Sequence, residues 1–410
     1  MSLFAVDVFL LSLPLVEPFV AAHGAMHHRD LTVVRVQAGE HIGWGECSAL
    51  SSPTYTAEFA AGAYDVCSQR LAPMFITAVS QWDEAIPPAP IVADLVQRAF
   101  GPESCAENPM AVAAFEMAML DLTLRRDQQS LAAFLHSRIR GQHPTSSNGA
   151  PRPHTPTGTV AAGAAVGLGA TSEVLARVSS LLDEGYRRVK VKITPTTEAA
   201  LFAGLRPLSE DHNIQLDANA SFGHNESDRD RHLNQLATLA NDGFSAVEQP
   251  FPPGQTSLAA QLVARSPVPV VADEAADSLA SVGSLHQTKA ASGVSVKSSR
   301  LGGLAAAEAL HNFGLAKGLV LTPGGMVECG LGRHALAALG SLPGFQLAGD
   351  VGPARRWLRD DPWPDLTFRP SDGVVLVPTT PGVAPLPDLE TLKRQTVHHH
   401  SVTGDTRPIG

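Results

Sequence analysis

The sequence predicts a (β/α)₈ barrel joined to an N-terminal α+β unit, and three observations support this fold class. Beyond residue 158, eight short apolar segments alternate with helical segments over about 190 residues, close to the lower size limit of such barrels. Before residue 140, segments of alternating polarity are followed by apolar residues at three- and four-residue spacing. The chain has 410 residues, 44% of them hydrophobic, which is enough for two domains.

The first segment, MSLFAVDVFLLSLPLV, alternates apolar and polar residues as a half-buried strand does. It lacks a basic n-region, and Asp7 and Pro14 interrupt it, so we expect neither a signal peptide nor a membrane anchor. In DLTVVRVQAGEHIGWGEC, the AGEHIG segment connects two strands as a hairpin loop does. Residues 1 to about 60 therefore predict the sheet of the α+β unit.

Residues from about 56 to 138 have the apolar spacing of helices. In NPMAVAAFEMAMLDLTLRRD, Asn108 is the predicted cap and Pro109 belongs to the predicted first turn. We assign residues 1–140 to this N-terminal domain.

The remaining boundaries follow from composition. Residues 141–158 are rich in Pro, Gly, Ser and Thr and predict a flexible linker. The barrel is assigned to residues 159–355, with strands VAAGAAVGL, RRVKVKI, IQLDAN, FSAVEQP, VPVVADE, SGVSVK, GLVLTPG and GFQLAGD. Residues 356–392 form a C-terminal segment. Residues 393–410, which include three consecutive histidines, predict a disordered tail with at most adventitious metal binding.

Charge and cysteine content limit the class of partner. The net charge is -10, and no cluster of basic residues is interleaved with aromatic residues, so we expect neither nucleic acid nor an anionic membrane as partner. A small molecule is the expected ligand. The four cysteines are far apart without CxxC spacing, which argues against a disulfide framework or zinc site and favours a reducing cytoplasm.

Ionisable residues recur at the ends of the predicted barrel strands. Lys190 and Lys192 in YRRVKVKI are two residues apart, so both side chains point to one side of the strand. At intervals of 24 to 31 residues, the next four strands end at Asp217, Glu248, Asp273 and Lys297. Since the carboxyl ends of barrel strands share one rim, we expect all six side chains to meet there.

Three carboxylates on adjacent strands repel one another unless a cation neutralises them. Oxygen ligands favour a hard divalent ion, so Mg²⁺ is the predicted cofactor and Mn²⁺ the alternative. A purely structural interpretation pairs each carboxylate with a neighbouring lysine. Five strand ends in register favour the metal site.

A carboxylate substrate bound at such a cation has its α-hydrogen within reach of one or both lysines. Nearby cations lower the pKa of a lysine base, which predicts abstraction of the α-proton by Lys192 with Lys190 as its neighbour. A lysine base combined with Mg²⁺ is an arrangement known from the enolase superfamily, and the mechanism is carried over from there.

These residues resemble the enolase superfamily, muconate-lactonizing subgroup, whose pattern is KxK, Asp, Glu, Asp and a final Lys. PLVEPFVAAHG, GWGECSALSSPTYTAEF, SSRLGG, GGMVECGLGRHALAALGSLPGF and VPTTPGVAPLPDL are similar to the branch of o-succinylbenzoate synthases and N-succinylamino acid racemases. The likeness extends over nearly the whole chain. It implies a modified (β/α)₈ TIM barrel with an N-terminal α+β capping domain completed by C-terminal residues.

The resemblance also implies roles for individual residues. Lys192 and Lys297 correspond to the acid/base pair, and Asp217, Glu248 and Asp273 to the metal ligands. Arg300 matches an arginine that adjusts the lysine on the other face, although a rim salt bridge is an equal alternative. The implied substrate-binding residues are Phe19 in the lid, Asn219, Gly324, Gly325 and Met326. For Phe19 a core position is the alternative, and for the two glycines a simple turn.

The implied activities are dehydration to o-succinylbenzoate in menaquinone synthesis, racemisation of N-acylamino acids, or both. A dipeptide epimerase, a muconate cycloisomerase and a metal-binding scaffold without catalysis are the alternatives. Ala165 stands where we expect a serine that contacts the ligand, which leaves recognition of the succinyl side open. Homo-oligomers are common in such families, but the sequence identifies no interface.

Overall fold

The structure is a computed structural model that describes residues 3–21, 24–82, 86–139 and 158–405. It consists of an α+β cap and a parallel-stranded barrel. The predicted linker, residues 141–158, lies outside the described residues except for its last position. Among the described helices, none has both the length and the apolar character that a membrane span needs.

The cap is built on an antiparallel four-stranded sheet. Its strand order is β14-β1-β2-β3, with β1 at Leu3–Ala21, β2 at Gly24–Ala38, β3 at His41–Cys47 and β14 at Thr396–Asp405. Gly39 turns between β2 and β3 with φ +61°, a conformation that glycine adopts without steric cost. The hairpin predicted around AGEHIG is confirmed.

Helices cover this sheet as the apolar spacing predicts. They are α1 at Ala60–Val66, α2 at Ala72–Val79, α3 at Val92–Glu107, α4 at Pro109–Arg126 and α5 at Leu131–Ile139, with a π turn at Cys67–Leu71 and a 3₁₀ turn at Ala89–Ile91. Asn108 is at the cap position of α4, but its side chain accepts no capping hydrogen bond. The Glu58 carboxylate accepts the N–H groups of Met110 and Ala111 instead.

Helix α4 packs directly on strand β3 because two positions of the strand lack side chains. A Cβ at Gly43 would lie 2.0 Å from the carbonyl oxygen of Ala118, and one at Gly45 would lie 1.9 Å from that of Ala114. Only glycine allows this approach of helix backbone to strand backbone. Nearly every residue of α4 is buried as a result.

The barrel contains a parallel sheet whose strands follow chain order. Its strands are β5 at Gly163–Val166, β6 at Arg188–Lys192, β7 at Asn213–Asp217, β8 at Ala246–Glu248, β9 at Val270–Ala272, β10 at Gly293–Val296 and β11 at Val320–Pro323. The helices that follow them are α6 at Thr171–Asp183, α7 at Ala199–Ser209, α8 at Arg229–Ala240, α9 at Thr256–Arg265, α10 at Leu279–Gln287, α11 at Leu304–Lys317 and α12 at Gly330–Gly340.

The eighth predicted strand, GFQLAGD, is not a regular strand, so that prediction is wrong in detail. The segment still joins the two edges of the sheet. Asp350 N–H bonds to Pro323 of β11 at 3.0 Å, and Gly163 N–H of β5 bonds to Val351 at 3.0 Å. Gly349 packs so closely on Pro323 that a regular ladder with side chains has no room. The fold is a modified (β/α)₈ barrel with an N-terminal α+β cap.

The C-terminal segment contacts both units. Strand β4, Thr159–Ala161, forms a small sheet with β12 at Phe368–Arg369 and β13 at Val374–Leu376. Farther along, Val383 N–H donates to the Asp121 carboxylate of cap helix α4, and Arg125 donates to the carbonyl of Ala384. Helix α13, Leu389–Gln395, then leads back to the cap sheet.

The tail was predicted to be disordered from residue 393, and this is wrong up to residue 405. It completes α13 and forms β14, which pairs antiparallel with β1. His399 Nε2 donates to the Asp7 carboxylate at 3.0 Å, and its ring stacks on Phe9 with ring centroids 4.5 Å apart. The polar composition of the tail suggested disorder. An edge strand, however, gains its backbone hydrogen bonds from its neighbour and needs few apolar side chains of its own.

Candidate active site

The structure brings the six predicted strand-end side chains together at one end of the barrel. Lys190 and Lys192 belong to β6, while β7 and β8 end at Asp217 and Glu248. In the parallel register Lys192 is opposite Asp217, which in turn is opposite Glu248. The last two, Asp273 and Lys297, directly follow β9 and β10. This confirms their common location, while their catalytic and metal-binding roles stay predictions.

Lys190 is the most heavily paired cation of the site. Its Nζ lies 3.0 and 3.1 Å from the two carboxylate oxygens of Glu248, 3.2 Å from Asp217 and 3.0 Å from Asp350. Burial disfavours the ammonium form, but these carboxylates outweigh it and hold the pKa of Lys190 well above its ordinary value. Lys190 therefore remains a fixed positive charge.

The two predicted acid/base lysines each contact one carboxylate. Lys192 Nζ lies 2.7 Å from Oδ2 of Asp217, and Lys297 Nζ lies 2.8 Å from Oδ2 of Asp273. Arg300 Nη1 lies 3.1 Å from the other oxygen of Asp273, and its side chain is buried. Arg300 and Lys297 thus share one carboxylate.

A cap residue that the sequence analysis missed reaches both of these cations. The Tyr55 hydroxyl accepts hydrogen bonds from Lys297 Nζ at 2.8 Å and from Arg300 Nη1 at 2.6 Å. Burial raises the pKa of Tyr55 well above its ordinary value, so it remains a neutral phenol. Tyr55 lies in an irregular loop without periodic spacing, and no sequence signal places it here.

The carboxylates differ in charge preference. Burial, together with the nearby Asp217, Asp273 and Asp350, raises the pKa of Glu248 to about 7 against the opposing effect of Lys190. Burial also acts to raise the pKa of Asp273, but Lys297 and Arg300 outweigh it and hold that pKa below its ordinary range. Around Glu248, the negative charge of the carboxylates therefore exceeds the positive charge that Lys190 supplies.

The donor set fits a hard divalent cation. Asp217, Glu248 and Asp273 offer oxygen atoms only, which is the chemistry that Mg²⁺ prefers. Two buried oxygens beside them, Oδ1 of Asn219 and Oε2 of Glu274, have no hydrogen-bond partner among the described residues. Unpartnered acceptors next to three carboxylates are what a cation site requires. In the described ranges, no group of three His, Cys, Asp or Glu side chains has the spacing of a metal site. The three carboxylates contact lysines instead.

A cavity opens above these charges. The barrel contributes Lys190, Lys192, Asn219 and Lys297 to its wall, and the cap contributes Leu50 and Tyr55. Ala165, at the position where a serine was expected, also lines it and presents no hydroxyl.

The other predicted substrate contacts have mixed outcomes. Gly325 and Met326 line the cavity. Gly324 lies beneath Lys297, where an added Cβ would be 2.7 Å from Cγ of the lysine. The backbone of Phe19 belongs to β1, paired with Met26, whereas its side chain lies outside the described residues. The lid role of Phe19 therefore stays a prediction.

Asp350 is a second residue that the sequence analysis missed. It accepts from Arg188 Nη1 at 2.6 Å as well as from Lys190, and it also lines the cavity. Burial opposes its charge, but the two cations hold the pKa of Asp350 well below its ordinary value. Asp350 ends GFQLAGD, so the rule that found the other strand-end charges applies to it as well.

Comparison with known protein families agrees with this geometry. Residues 173–390 match the family described as Enolase C-terminal domain-like. Residues 5–135 match the family described as Mandelate racemase / muconate lactonizing enzyme, N-terminal domain. The two matches correspond to the barrel and the cap.

Individual relatives cover almost the entire chain. An N-succinylamino acid racemase from Amycolatopsis sp is 33% identical over 393 residues, covering 95% of this chain and 96% of the relative. An o-succinylbenzoate synthase from Listeria innocua is 26% identical, covering 94% and 93%. Among solved structures, a probable mandelate racemase from Alicyclobacillus acidocaldarius superposes with a TM-score of 0.80 at 28% identity, covering 98% and 99%.

Proposed function

This chain is an enzyme of the enolase superfamily, in the branch of o-succinylbenzoate synthases and N-succinylamino acid racemases, and we propose that it abstracts the proton α to a substrate carboxylate with a pair of lysines. The products are a racemised N-succinyl- or N-acylamino acid, o-succinylbenzoate formed by dehydration, or both. The proposal rests on the placement of Lys192 and Lys297 in one cavity.

The two lysines approach the cavity from opposite sides of the barrel. Lys192 is on β6, and Lys297 follows β10, four strands farther round a ring of eight positions. A planar carbon held between them has one lysine on each face. One lysine removes the α-proton from its own face, and the other lysine, as an ammonium, delivers a proton to the opposite face. Racemisation requires this transfer from face to face.

The neighbouring residues hold each lysine in place. Asp217 fixes Lys192, and Asp273 together with Tyr55 fixes Lys297. Lys190, in the cavity wall, partly neutralises the three carboxylates that surround it.

The proposed cofactor is Mg²⁺, with Mn²⁺ as the alternative, held by Asp217, Glu248 and Asp273. When bound, such an ion supplies concentrated positive charge beside the substrate carboxylate and acidifies the adjacent α-carbon. We expect exhaustive chelation to abolish turnover and added Mg²⁺ to restore it. Glu248→Gln should weaken Mg²⁺ binding measured by calorimetry, and full activity in excess chelator would contradict the metal proposal.

Dehydration and racemisation differ in how many lysines they need. A syn-dehydration needs one lysine as base and then as acid, while the other stabilises charge. Racemisation needs both. Because the racemase from Amycolatopsis sp is 33% identical to this chain, racemisation is the activity to test first.

The two-base role of the lysine pair can be tested by exchange of the α-hydrogen in D₂O. NMR follows this exchange separately for each enantiomer of an N-succinylamino acid. Lys297→Ala should abolish racemisation in both directions yet leave exchange of the enantiomer that faces Lys192. Lys192→Ala should give the mirror result. Each deletion should cost roughly 10²-fold or more in the step that it removes.

The same experiment separates the alternatives. If both single variants still racemise, or each exchanges both enantiomers equally, the two-base mechanism is wrong. Exchange only with dipeptides would favour the epimerase, and conversion only of muconate would favour the cycloisomerase. No exchange with any substrate in the presence of Mg²⁺ would favour a scaffold that lacks catalysis. The cytoplasmic location and the oligomeric state stay predictions.

A further inference from the structure

Arg29, on β2, is fully buried and donates all five of its N–H groups to backbone carbonyls. Three acceptors belong to the cap, and two belong to the barrel loop after β11. They are Asp30 at 2.6 Å, Ala49 at 2.6 Å, Ser48 at 2.7 Å, Val327 at 2.9 Å and Met326 at 3.2 Å. One guanidinium therefore joins three separate backbone segments.

Two of those segments contribute lining to the cavity, one from the cap and one from the barrel. Ser48 and Ala49 directly precede Leu50, which lines the cavity from the cap. Met326 and Val327 line it from the barrel. The distance between these walls is thus fixed through the hydrogen bonds of one side chain.

The barrel wall is held in a strained conformation. Val327 has φ +56°, in the left-handed region that β-branched residues adopt only when their surroundings force it. The Nε of Arg29 bonds to the carbonyl of this residue. On the other side, Glu328 accepts the N–H of Met326 at 2.6 Å. Without these bonds, the backbone strain at Val327 favours a change in the conformation of this segment.

The geometry of Arg29, more than its charge, explains its position. No carboxylate lies within ion-pair distance of it in the described part of the chain, and all of its acceptors are neutral carbonyls. Burial lowers the pKa of Arg29, with Glu46 and Glu328 as the more distant countercharges. A lysine has a point charge and three donors on one atom, so it cannot join the same five acceptors.

We infer that Arg29 is a positioning residue that sets the width of the cavity between Leu50 and the Met326–Val327 wall, and thereby selects substrates by side-chain size. This inference rests on the proposed function for its kinetic readout. It assigns no chemical step to Arg29, which contacts neither the lysines nor the cavity.

The first test compares Arg29→Lys and Arg29→Met with Arg35→Met. Arg35 is on the same strand and pairs with Asp7 within the cap, so its loss removes a cation without touching the barrel. The substrates are N-succinyl derivatives of a small and a large amino acid. The Arg29 substitutions should raise KM by about tenfold and remove most of the discrimination between these two substrates. The rate at saturation should fall by less than about threefold. Arg35→Met should resemble the wild type.

A second measurement does not depend on catalysis. Mass spectrometry follows amide hydrogen–deuterium exchange of residues 324–329 in Mg²⁺ buffer without substrate. This exchange should accelerate at least about tenfold in the Arg29 variants and remain unchanged in Arg35→Met. If no protein, wild type included, turns over an N-acylamino acid, the proposed function fails while this measurement still tests Arg29. Unchanged amide exchange and unchanged KM in folded Arg29→Lys would overturn the inference.

A pair of variants at Val327 covers the case in which the Arg29 variants do not fold. Val327→Gly removes the strain at positive φ, whereas Val327→Ala removes a similar volume and retains it. Because glycine adopts this conformation without strain, we expect slower amide exchange at residues 324–329 and better retained size discrimination in the glycine variant than in the alanine variant. Equal behaviour of the two would show that the strained wall does not control selectivity.

Discussion

The hydroxyl oxygen of Tyr55 in the cap lies 2.8 Å from Nζ of Lys297 at the carboxyl end of β10. This contact links a loop of the cap to one of the two proposed bases. Since Tyr55 also accepts from Arg300, it holds two buried cations in a fixed orientation. The cap thus takes part in placing the lysine as well as in covering the cavity.

We therefore expect Tyr55→Phe to reduce the rate at saturation by about tenfold or more, since the ring stays but the acceptor for Lys297 is lost. Exchange of the enantiomer that faces Lys297 should fall more than exchange of the other. Tyr64→Phe, on cap helix α1, is the matched control and should leave both rates unchanged. Equal losses for the two enantiomers would contradict the specific role of Tyr55.

Gly324→Ala should disable Lys297 without unfolding the barrel. The added Cβ would lie 2.2 Å from Oγ of Ser295 and 2.7 Å from Cγ of Lys297, so the lysine side chain has to move. Because a displacement of about 1 Å can cost 10²-fold in rate, we expect a loss of that order. Gly283→Ala, in helix α10 with no neighbour closer than 3.9 Å, should preserve activity and slightly raise the melting temperature. Activity is measured as α-hydrogen exchange.

Asp350→Asn should destabilise the barrel. Arg188 and Lys190 are buried and lose a shared countercharge, and breaking such buried pairs costs about 3 kcal/mol or more in the free energy of unfolding. The exposed pair of Arg369 and Asp372 provides the comparison, because Asp372→Asn should hardly change the unfolding midpoint. Urea unfolding by circular dichroism measures both. Similar midpoints for the two variants would contradict the structural importance of Asp350.

The buried carboxyl of Glu46 should make stability depend on pH. Burial, reinforced by Glu328, raises the pKa of Glu46 to about 7 in the folded protein, against about 4.3 in the unfolded chain. The folded state then binds the extra proton between these values, so stability falls as pH rises through this window, by up to about 1.4 kcal/mol per pH unit.

Glu46→Gln removes this titration. The melting temperature of the variant relative to the wild type should therefore increase from pH 5 to about pH 7 and level off toward pH 8, whereas Glu40→Gln, at the exposed hairpin turn, should give a constant difference. Differential scanning calorimetry across this range measures the effect. A difference that does not vary with pH would mean that Glu46 stays charged.

The sequence by itself determined seven of the eight predicted barrel strands and the rim on which the six charged side chains meet. Strand periodicity is a local property, and parallel strands in a barrel all end on the same side, so Lys192 and Asp217 had to be neighbours. The hairpin around Gly39 and the helices of the cap followed from similarly local rules. Asp350 obeys the same rule, although it was overlooked.

The tertiary structure alone decided which residues from the cap reach the site and how the chain ends. Tyr55 and Arg29 act through partners more than 200 residues away, and no spacing in the sequence encodes such contacts. The tail forms β14 because the edge of β1 offers unpaired backbone groups, a property of the folded sheet that the composition of the tail does not contain. Local patterns fix the elements because each depends on residues a few positions apart, whereas the contacts between cap and barrel depend on the docking of surfaces that exist only after both have folded.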